Sequence, residues 1–318
     1  LYSETMDTDL LARLQQRLGP VHARQRIGIE EESAPAVFGK GLNFFHPENW
    51  YSSHALIRYA LKFSGLYWRG RRNILKFRVL HNQIPLPALP EAFEDFTLLH
   101  LSDLHADMHG PATEALIERV SRLDYDLCVL TGDYRALTFG PIERSMAGMR
   151  SLCAELKSPI YAVLGNHDSI RMVPELEDMG VTVLLNESVP IERGDEVIYL
   201  AGIDDAHYYR VDNIEKAADA IPLEATSILL SHTPEIYLQA AHAGFDAFLC
   251  GHTHGGQICL PGGFPLTLDA SCPRQMGSGS WMHNGMQGYT SVGTGTSIVE
   301  VRLNCLPEIT LHHLKRAG

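Results

Sequence analysis

The chain has 318 residues, of which 45% are hydrophobic, as is typical of a globular protein with a substantial core. Its 26 basic and 38 acidic residues give a formal net charge of −12, which argues against general nucleic-acid binding because the surface as a whole repels phosphate. No apolar run reaches the length of about 18 residues that a membrane-spanning helix needs.

The six cysteines are scattered along the chain, and none of them forms a CxxC pair. In a chain of this length they indicate isolated thiols instead of a disulfide framework, and therefore a reducing compartment. From this we expect a cytoplasmic location. The sequence as it stands shows no signal peptide, but it starts at Leu and not at Met, so a trimmed leader stays open as an alternative.

The first 72 residues differ in pattern from the rest of the chain. Residues 7–18 have helical spacing, and residues 27–41 are expected to form a loop. A second helix is predicted over 52–65, because serines precede it and a glycine ends it. Residues 66–73 (LYWRGRRN) then place aromatic side chains beside basic ones. We therefore predict an N-terminal helical extension over residues 1–72.

From residue 73 to residue 318, short apolar runs alternate with amphipathic stretches, which predicts an α/β domain whose sheets are covered by helices. The predicted helices cover 111–122, 141–156 and 233–243. The predicted strands are ILKFRVL (74–80), FTLLHL (96–101), DLCVL (126–130), IYAVL (160–164), VTVLL (181–185), VIYLAGI (197–203), SILL (227–230), DAFLC (246–250) and EITLHHL (308–314).

Five of these strands are followed at once by residue types that bind metals. Functional groups gather at the carboxyl ends of strands in α/β sheets, and glycines beside them let the backbone bend there. We therefore expect these side chains to share one cleft. The candidate metal ligands are Asp103, His105, Asp133, Asn166, His232, His252 and His254.

Seven ligands are too many for one ion with an open coordination position, but they suit two ions that share a bridging carboxylate. Such paired ions lie about 3.5–4 Å apart and support in-line displacement at phosphorus. Imidazole, carboxylate and amide ligands without thiolate favour Mn, Fe or Zn. The sequence thus predicts a site for two divalent metal ions.

The order D-x-H, G-D, G-N-H-D, a lone H and G-H-x-H resembles that of the calcineurin-like metallophosphoesterase family over about residues 73–318. GHTHGGQ (251–257) and the closing stretch 293–314 are most similar to its YkuE/YaeI-like branch. The resemblance implies a four-layer αββα sandwich of two mixed sheets. It also implies hydrolysis of a phosphate ester by in-line attack of a metal-bridging hydroxide.

The resemblance also implies a role for each matching residue. Asp133 would bridge the two ions, His167 would donate to a phosphoryl oxygen or protonate the leaving group, and Asp168 would orient His167. The first metal would be bound by Asp103, His105 and His254, and the second by Asn166, His232 and His252.

Three further residues are candidates for substrate binding. Arg135 stands where many relatives carry an acidic residue and is expected to face a substrate phosphate. His109 and His207 follow strands in loops that would rim the cleft, although a solvated loop histidine is the alternative for each. His100, inside a predicted strand, is expected to be a hydrogen-bonded core residue.

The substrate is expected to contain a phosphodiester or pyrophosphate bond, on a lipid-linked or nucleotide-linked molecule. The branch resemblance implies this bond type, and the apolar, glycine-rich loop 259–285 with Trp281 and Met282 would form a wall for an apolar portion. Residues 62–72 combine aromatic and basic side chains, which predicts weak peripheral contact with the inner face of a membrane. A solvated helix edge is the alternative interpretation of that stretch.

Three other functions fit parts of this pattern. A phosphomonoesterase of the same fold is the alternative enzyme, and a non-catalytic metal-binding scaffold is the alternative class, although scaffolds lose ligands and none is missing here. A metallo-β-lactamase type of zinc hydrolase would require H-x-H-x-D-H, whereas HTH is followed here by GGQ.

Overall fold

The computed structural model of the chain describes residues 8–32 and 51–317, with side chains from residue 55 onward in the second range. The helices in these ranges are α1 Thr8–Leu18, α2 Pro20–Glu32, α3 Tyr51–Phe63, α4 Leu66–Asn73, α5 Gly110–Val120, α6 Glu143–Cys153, α7 Val173–Asp178, α8 Ile214–Ala218 and α9 Tyr237–His242. None of these helices is long and apolar enough to cross a membrane.

The strands are β1 Arg78–Leu86, β2 Thr97–Leu101, β3 Leu127–Leu130, β4 Ile160–Ala162, β5 Val181–Val183, β6 Glu187–Arg193, β7 Glu196–Gly202, β8 Ser227–Leu230, β9 Ala247–Cys250, β10 Cys259–Leu260, β11 Phe264–Pro265, β12 Gly279–His283, β13 Met286–Thr290 and β14 Glu308–Arg316. They form two six-stranded sheets and the small hairpin β10–β11.

Both large sheets are mixed. The first has the order β1-β14-β2-β3-β4-β5, and only β14 and β2 pair antiparallel. The second has the order β12-β13-β9-β8-β7-β6, with antiparallel pairs at its two edges. In each sheet the central strands point the same way, so their carboxyl ends meet at one edge of the molecule.

Alternating side chains of the strands build separate cores on the two faces of each sheet. In β2, Leu98 packs between the sheets with Leu200 and Leu249, whereas Leu99 and Leu101 pack under helices on the outer face. A third cluster lies on the outer face of the second sheet, under α8 and α9. The layers therefore follow the order helix, sheet, sheet, helix, which confirms the predicted αββα sandwich.

The N-terminal helices contact this sandwich in two places. Leu14 of α1 and Ile27 of α2 belong to the same cluster as the outer face of the first sheet. Arg17 binds the carboxylates of Glu177 and Glu187 at 2.8 and 2.6 Å, which ties α1 to α7 and β6. Helices α3 and α4 pack separately, against the segment that precedes β14.

Several predicted boundaries are wrong. Residues 27–32 continue α2 instead of forming a loop, because the buried Arg26 interrupts the apolar spacing on its inward face. The rest of that prediction, residues 33–41, lies outside the described residues. Strand β1 begins at Arg78 and not at residue 74. Strands β6, β12 and β13 were not predicted, because β6 and β12 are edge strands and all three lack a long apolar run. All six cysteines are free thiols, as predicted.

Two buried histidines lie side by side in the first sheet, His100 on β2 and His312 on β14. Asn82 donates to Nδ1 of His312, whose Nε2 lies 3.1 Å from Nδ1 of His100. Nε2 of His100 lies 2.8 Å from the Thr131 hydroxyl. His100 is thus a hydrogen-bonded core residue, as predicted. Burial lowers the pKa of His100 to about 3 and that of His312 well below its ordinary value.

Because these two histidines are buried and neutral, we expect the folded protein to lose stability in acid. Below about pH 6.5 an unfolded histidine takes up a proton that its buried counterpart does not, so the free energy of unfolding falls by up to about 1.4 kcal/mol per pH unit for each histidine. We expect His312→Gln to weaken this pH dependence between about pH 7.5 and about pH 5.5, measured by urea unfolding. The exposed His242 provides the control substitution, His242→Gln. An unchanged pH dependence in His312→Gln would contradict the assignment.

Candidate metal centre

All seven predicted ligands lie together at the carboxyl ends of the strands, on loops contributed by both sheets. Each is at most 7% exposed. The loop after β2 carries Asp103 and His105, and the loops after β3 and β4 carry Asp133 and Asn166. The second sheet contributes His232, His252 and His254, which follow β8 and β9.

A first group of ligand atoms consists of Asp103, His105 and His254, whose donor atoms lie within 4.8 Å of one another. The two Nε2 atoms of His105 and His254 are 3.2 Å apart. Nε2 of His254 lies 3.4 Å from Oδ1 of Asp103. This is the group predicted for the first metal.

A second group consists of Asp133, His232 and His252, again within 4.8 Å. Nε2 of His232 lies 2.9 Å from the side-chain oxygen of Asn166 and 3.2 Å from Nδ1 of His252. These contacts bring together the three residues predicted for the second metal, with Asp133 beside them.

Asp133 lies between the two groups. Its Oδ2 atom is 3.9 Å from Nε2 of His105 and 3.3 Å from Nε2 of His232. Burial opposes ionisation of this carboxyl, but the charges of His232 and His167 lower its pKa well below the ordinary value. Burial likewise opposes protonation of His232, but Asp133 raises the pKa of that imidazole to about 10.

These groups fit a pair of cations. The polypeptide alone compensates the buried Asp133 carboxylate with a proton on His232, and a metal ion at the same place would supply that positive charge and release the proton. His254 is in the neutral form that a ligand requires, because burial and the charges of His105 and Arg302 lower its pKa well below the ordinary value. Nitrogen and oxygen donors without thiolate suit Mn²⁺, Fe or Zn²⁺.

Backbone carbonyls fix the orientation of two of the imidazoles. Nδ1 of His105 donates to the carbonyl of Arg135 at 2.8 Å, and Nδ1 of His232 donates to the carbonyl of Thr131 at 2.7 Å. In both rings Nε2 is then left to face the site, which is the arrangement of imidazole ligands in metal sites generally.

The loops that carry the ligands are strained. Five of the seven ligands have a positive φ, between 40° and 72°, where residues other than glycine are uncommon. Such strain persists only where the surrounding structure imposes it, and it is concentrated at functional sites. The five residues are Asp103, His105, Asp133, His252 and His254.

Glycines let these loops approach one another. A Cβ atom on Gly165 would lie 2.2 Å from Oδ1 of Asp133, and one on Gly251 would lie 1.9 Å from the Ser102 hydroxyl and 2.5 Å from Oδ2 of Asp103. No side chain fits at either position without displacing a ligand.

His167 lies at the edge of the centre and is 5% exposed. Its Nε2 is 3.9 Å from Oδ2 of Asp133, and its Nδ1 is 2.9 Å from the Thr138 hydroxyl. The prediction that Asp168 orients this ring is wrong. The Asp168 carboxylate instead accepts hydrogen bonds from the backbone N–H groups of Asp133, Tyr134 and Gly165, at 2.7–2.9 Å, and so joins the loops after β3 and β4.

Arg135 does not point toward a substrate phosphate. Its guanidinium is buried and donates to the carbonyls of Thr138, Gly140 and His167. It therefore holds the Thr138 loop against His167, and the expected contact with substrate is not what the structure shows.

The two remaining candidates have other positions. His109 accepts a hydrogen bond from the N–H of Ala112 and caps the start of α5. His207 is only 2% exposed, so it is not a solvated loop residue. Its ring lies 4.2 Å from that of the predicted ligand His252, and Glu235 lies 3.1 Å from its Nδ1.

Sequence reasoning missed the residues that support the centre from a distance. Arg302, fully buried, donates to the carbonyls of loop residues 292, 293 and 295, and its Nη2 lies 3.3 Å from Nδ1 of His254. From α2, Arg26 donates to the carbonyl of Asp168, and Glu30 accepts from the backbone N–H of Ile170. For Arg26 and Glu30 the available signal was the density of charged residues over 24–32; the stretch 292–307 around Arg302 has few charged residues and gave no such signal.

Comparisons with known proteins agree with this geometry. The profile described as calcineurin-like phosphoesterase matches residues 96–256. The chain is 30% identical over 269 residues to the uncharacterized metallophosphoesterase YkoQ of Bacillus subtilis, a match that covers 80% of this chain and 96% of that protein.

Two further relatives have more descriptive names. Phosphodiesterase YaeI of Escherichia coli is 28% identical over 232 residues, covering 69% of this chain and 82% of that protein. A Danio rerio protein named transmembrane protein with metallophosphoesterase domain is 31% identical over 264 residues, covering 76% of this chain. The matched region spans 58% of the Danio rerio protein.

We expect Gly165→Ala to lower the amount of divalent metal that the protein retains, because the new methyl group must displace Asp133. Gly28→Ala is the matched control: Gly28 lies within α2, and its added Cβ would meet nothing within 4 Å. That variant should keep its metal and gain about 0.5–1 kcal/mol of stability. Elemental analysis after dialysis against metal-free buffer makes the comparison. Equal metal content in the two variants would show that the close approach of these loops is not required.

Proposed function

The chain belongs to the calcineurin-like phosphoesterase family, and from this premise we propose that it is a two-metal hydrolase of phosphodiester or pyrophosphate bonds. Membership of the family makes it a phosphoesterase, and the similarity to YaeI places it in the YaeI-like branch. The bond that it cleaves and the two-ion stoichiometry are proposals.

The position of Asp133 is the observation that carries the two-metal proposal. One oxygen of this carboxylate lies within 3.9 Å of an imidazole nitrogen from each of the two ligand groups. A single ion would leave one group of buried donors without a partner, which is costly in a dry interior. Two ions that share Asp133 satisfy both groups.

When bound, the two cations would act as Lewis acids and would lower the pKa of a water molecule, so that hydroxide would be available as the nucleophile near neutral pH. The chain's own residues would hold these ions in position and compensate their charge. The imidazoles of His105 and His232 are held by backbone carbonyls, so little reorganisation is needed during the reaction. Burial of the ligands also keeps bulk water away from the reacting groups.

His167 is the residue proposed to move a proton or to bind the phosphoryl oxygen. If the Thr138 hydroxyl donates to Nδ1, the proton of this imidazole is on Nε2, which faces the centre. From there it can be donated to the oxygen that leaves phosphorus. Arg135 acts as a positioning residue, because it fixes the loop that carries Thr138.

The proposed bond type is supported by the surface beside the centre. The hairpin β10–β11 follows His254 directly, and it exposes Leu260, Phe264 and Leu266. Of the two residues expected to form an apolar wall, Met282 is exposed, but Trp281 is buried against Phe248. An apolar surface suits a substrate with an apolar or bulky group on each side of the phosphate, whereas binding of a small monoester does not require an apolar surface.

The alternatives are less well supported. A phosphomonoesterase needs no apolar surface near the metals, and a non-catalytic scaffold would not need the full set of seven buried ligands and the buried His167.

For location, we propose a reducing compartment such as the cytoplasm, with weak contact to the inner face of a membrane. The six free thiols support the reducing compartment.

We expect the enzyme loaded with Mn²⁺ to hydrolyse bis-p-nitrophenyl phosphate with a kcat/KM at least about tenfold higher than that for p-nitrophenyl phosphate. The panel should also contain a cyclic nucleotide and a nucleotide-diphospho-lipid, and Asp133→Ala serves as the blank for contaminating phosphatases. A monoester as the best substrate of the panel would refute the proposed bond type without refuting the two-metal centre.

We expect His167→Ala to retain both metals and to lose turnover by about 10²–10⁴-fold, because a general acid is removed while the ligands stay. The loss should shrink for substrates whose leaving group is a weak base, which need no proton. Elemental analysis and kcat across a series of substituted phenyl esters provide the measurement. A loss of metal in His167→Ala would make this residue a ligand instead.

A further inference from the structure

We propose that α3, α4 and the hairpin β10–β11 form a docking face for the surface of an anionic phospholipid bilayer. The proposal defines, residue by residue, the weak membrane contact proposed above. It does not depend on the hydrolytic activity, because it is derived from a surface that contains none of the metal ligands.

The first element of this face is a basic cavity beside α4. It has a volume of ≈ 790 Å³ and is lined by four cations, two amides and one leucine. Among the described residues, no acid lines it, although the chain as a whole has a net charge of −12. A local concentration of positive charge on an acidic protein indicates an anionic partner. The lining consists of Arg69, Arg72, Asn73, Lys76, Arg78, Asn304 and Leu306.

The second element is the apolar outer surface of α3 and α4. On α3, Leu56, Tyr59 and Phe63 recur at helical spacing and are all exposed; Phe63 is 90% exposed. Trp68 on α4 is 63% exposed. The opposite side of the two helices packs on the segment before β14, through Leu61 and Tyr67. The outward apolar side chains are thus largely in contact with solvent, and exposed clusters of this kind mark interaction surfaces.

The third element is the hairpin β10–β11, whose tip exposes more apolar surface. Phe264 is 56% exposed, and the guanidinium of Arg274 lies 4.5 Å from the centre of its ring. Asn304 connects the hairpin with α4, since it donates to the carbonyl of Cys259 at 2.8 Å and accepts from Arg69 at 3.3 Å. The basic cavity thus lies between two sets of exposed apolar residues.

Hydrogen bonds connect this face to the metal centre. The N–H of Arg302 donates to the carbonyl of Gly70 in α4, and the side chain of Asn73 donates to the carbonyl of Arg302. Arg302 in turn contacts the ligand His254, after which the hairpin begins. A bilayer bound to this face would therefore lie against the segments that hold His254 in place.

The combination of elements favours a bilayer over other anions. A soluble anion would require the cations but not the exposed leucines and aromatic rings, and a nucleic acid could stack on the rings but would not require the exposed leucines. Aromatic side chains at the level of the headgroups, with arginines and lysines beside them, are the usual composition of peripheral membrane surfaces. Attraction to an anionic leaflet acts within about one Debye length and so decreases with salt.

The test is co-sedimentation of the full chain with vesicles of phosphatidylcholine, with and without about 30 mol% phosphatidylglycerol, at about 50 mM and about 300 mM NaCl. We expect the wild type to bind the anionic vesicles at low salt and to be released at high salt. Arg72→Ala/Lys76→Ala should weaken binding roughly 10- to 30-fold. Phe63→Ser/Trp68→Ser should also weaken binding at low salt, because the apolar contacts with the bilayer are lost while the cations remain.

The matched control is Arg122→Ala/Lys157→Ala, which removes two exposed cations from loops near α5 and β4 and should bind like the wild type. Far-UV circular dichroism and metal content show that each variant is folded. No binding of the wild type, or equal loss in the control, would overturn the proposal. Displacement by inorganic phosphate or by a DNA oligonucleotide at matched ionic strength would do so too, and would identify a soluble-anion or nucleic-acid site.

Discussion

The structure around the metal centre depends on one buried carboxylate, that of Asp133, surrounded by imidazoles from both sheets. An ionised carboxylate in a dry interior is unstable unless positive charge and hydrogen-bond donors compensate it. The shape of the surrounding loops follows from this requirement. The strands end together, five of the seven candidate ligands after them adopt left-handed backbone conformations, and Gly165 leaves room for the Asp133 oxygen. Two cations bound between the ligand groups would complete the compensation.

Strained loops of this kind need support from outside, and the support is itself polar and buried. The Asp168 carboxylate joins two of the loops through backbone N–H groups. Arg302 binds the carbonyls of the loop that packs on Asp103, and Arg26 of α2 reaches the GNHD loop from the opposite side. Helix α2 and the segment before β14 are therefore parts of the same polar network as the candidate ligands, although neither contributes one of the seven predicted ligands.

The positions of the candidate ligands were predictable because each motif is short and directly follows an apolar strand, so local sequence places it at the edge of a sheet. The supporting residues were not predictable, because Arg26, Thr138 and Arg302 reach the centre only through contacts between distant segments. Asp168 was assigned the wrong role for the same reason: its partners are backbone groups, which leave no trace in sequence. The boundary of α2 was missed because its inward face carries charged side chains, and charged residues without apolar spacing are more typical of a loop.

The central claim, two cations that share Asp133, is tested most directly by electron paramagnetic resonance of the protein loaded with Mn²⁺, together with elemental analysis. The account predicts two ions per chain with an exchange-coupled spectrum, as expected for ions about 3.5–4 Å apart. It also predicts that Asp133→Asn abolishes the coupling. One ion per fully active chain, or two ions whose spectrum shows no coupling, would contradict it.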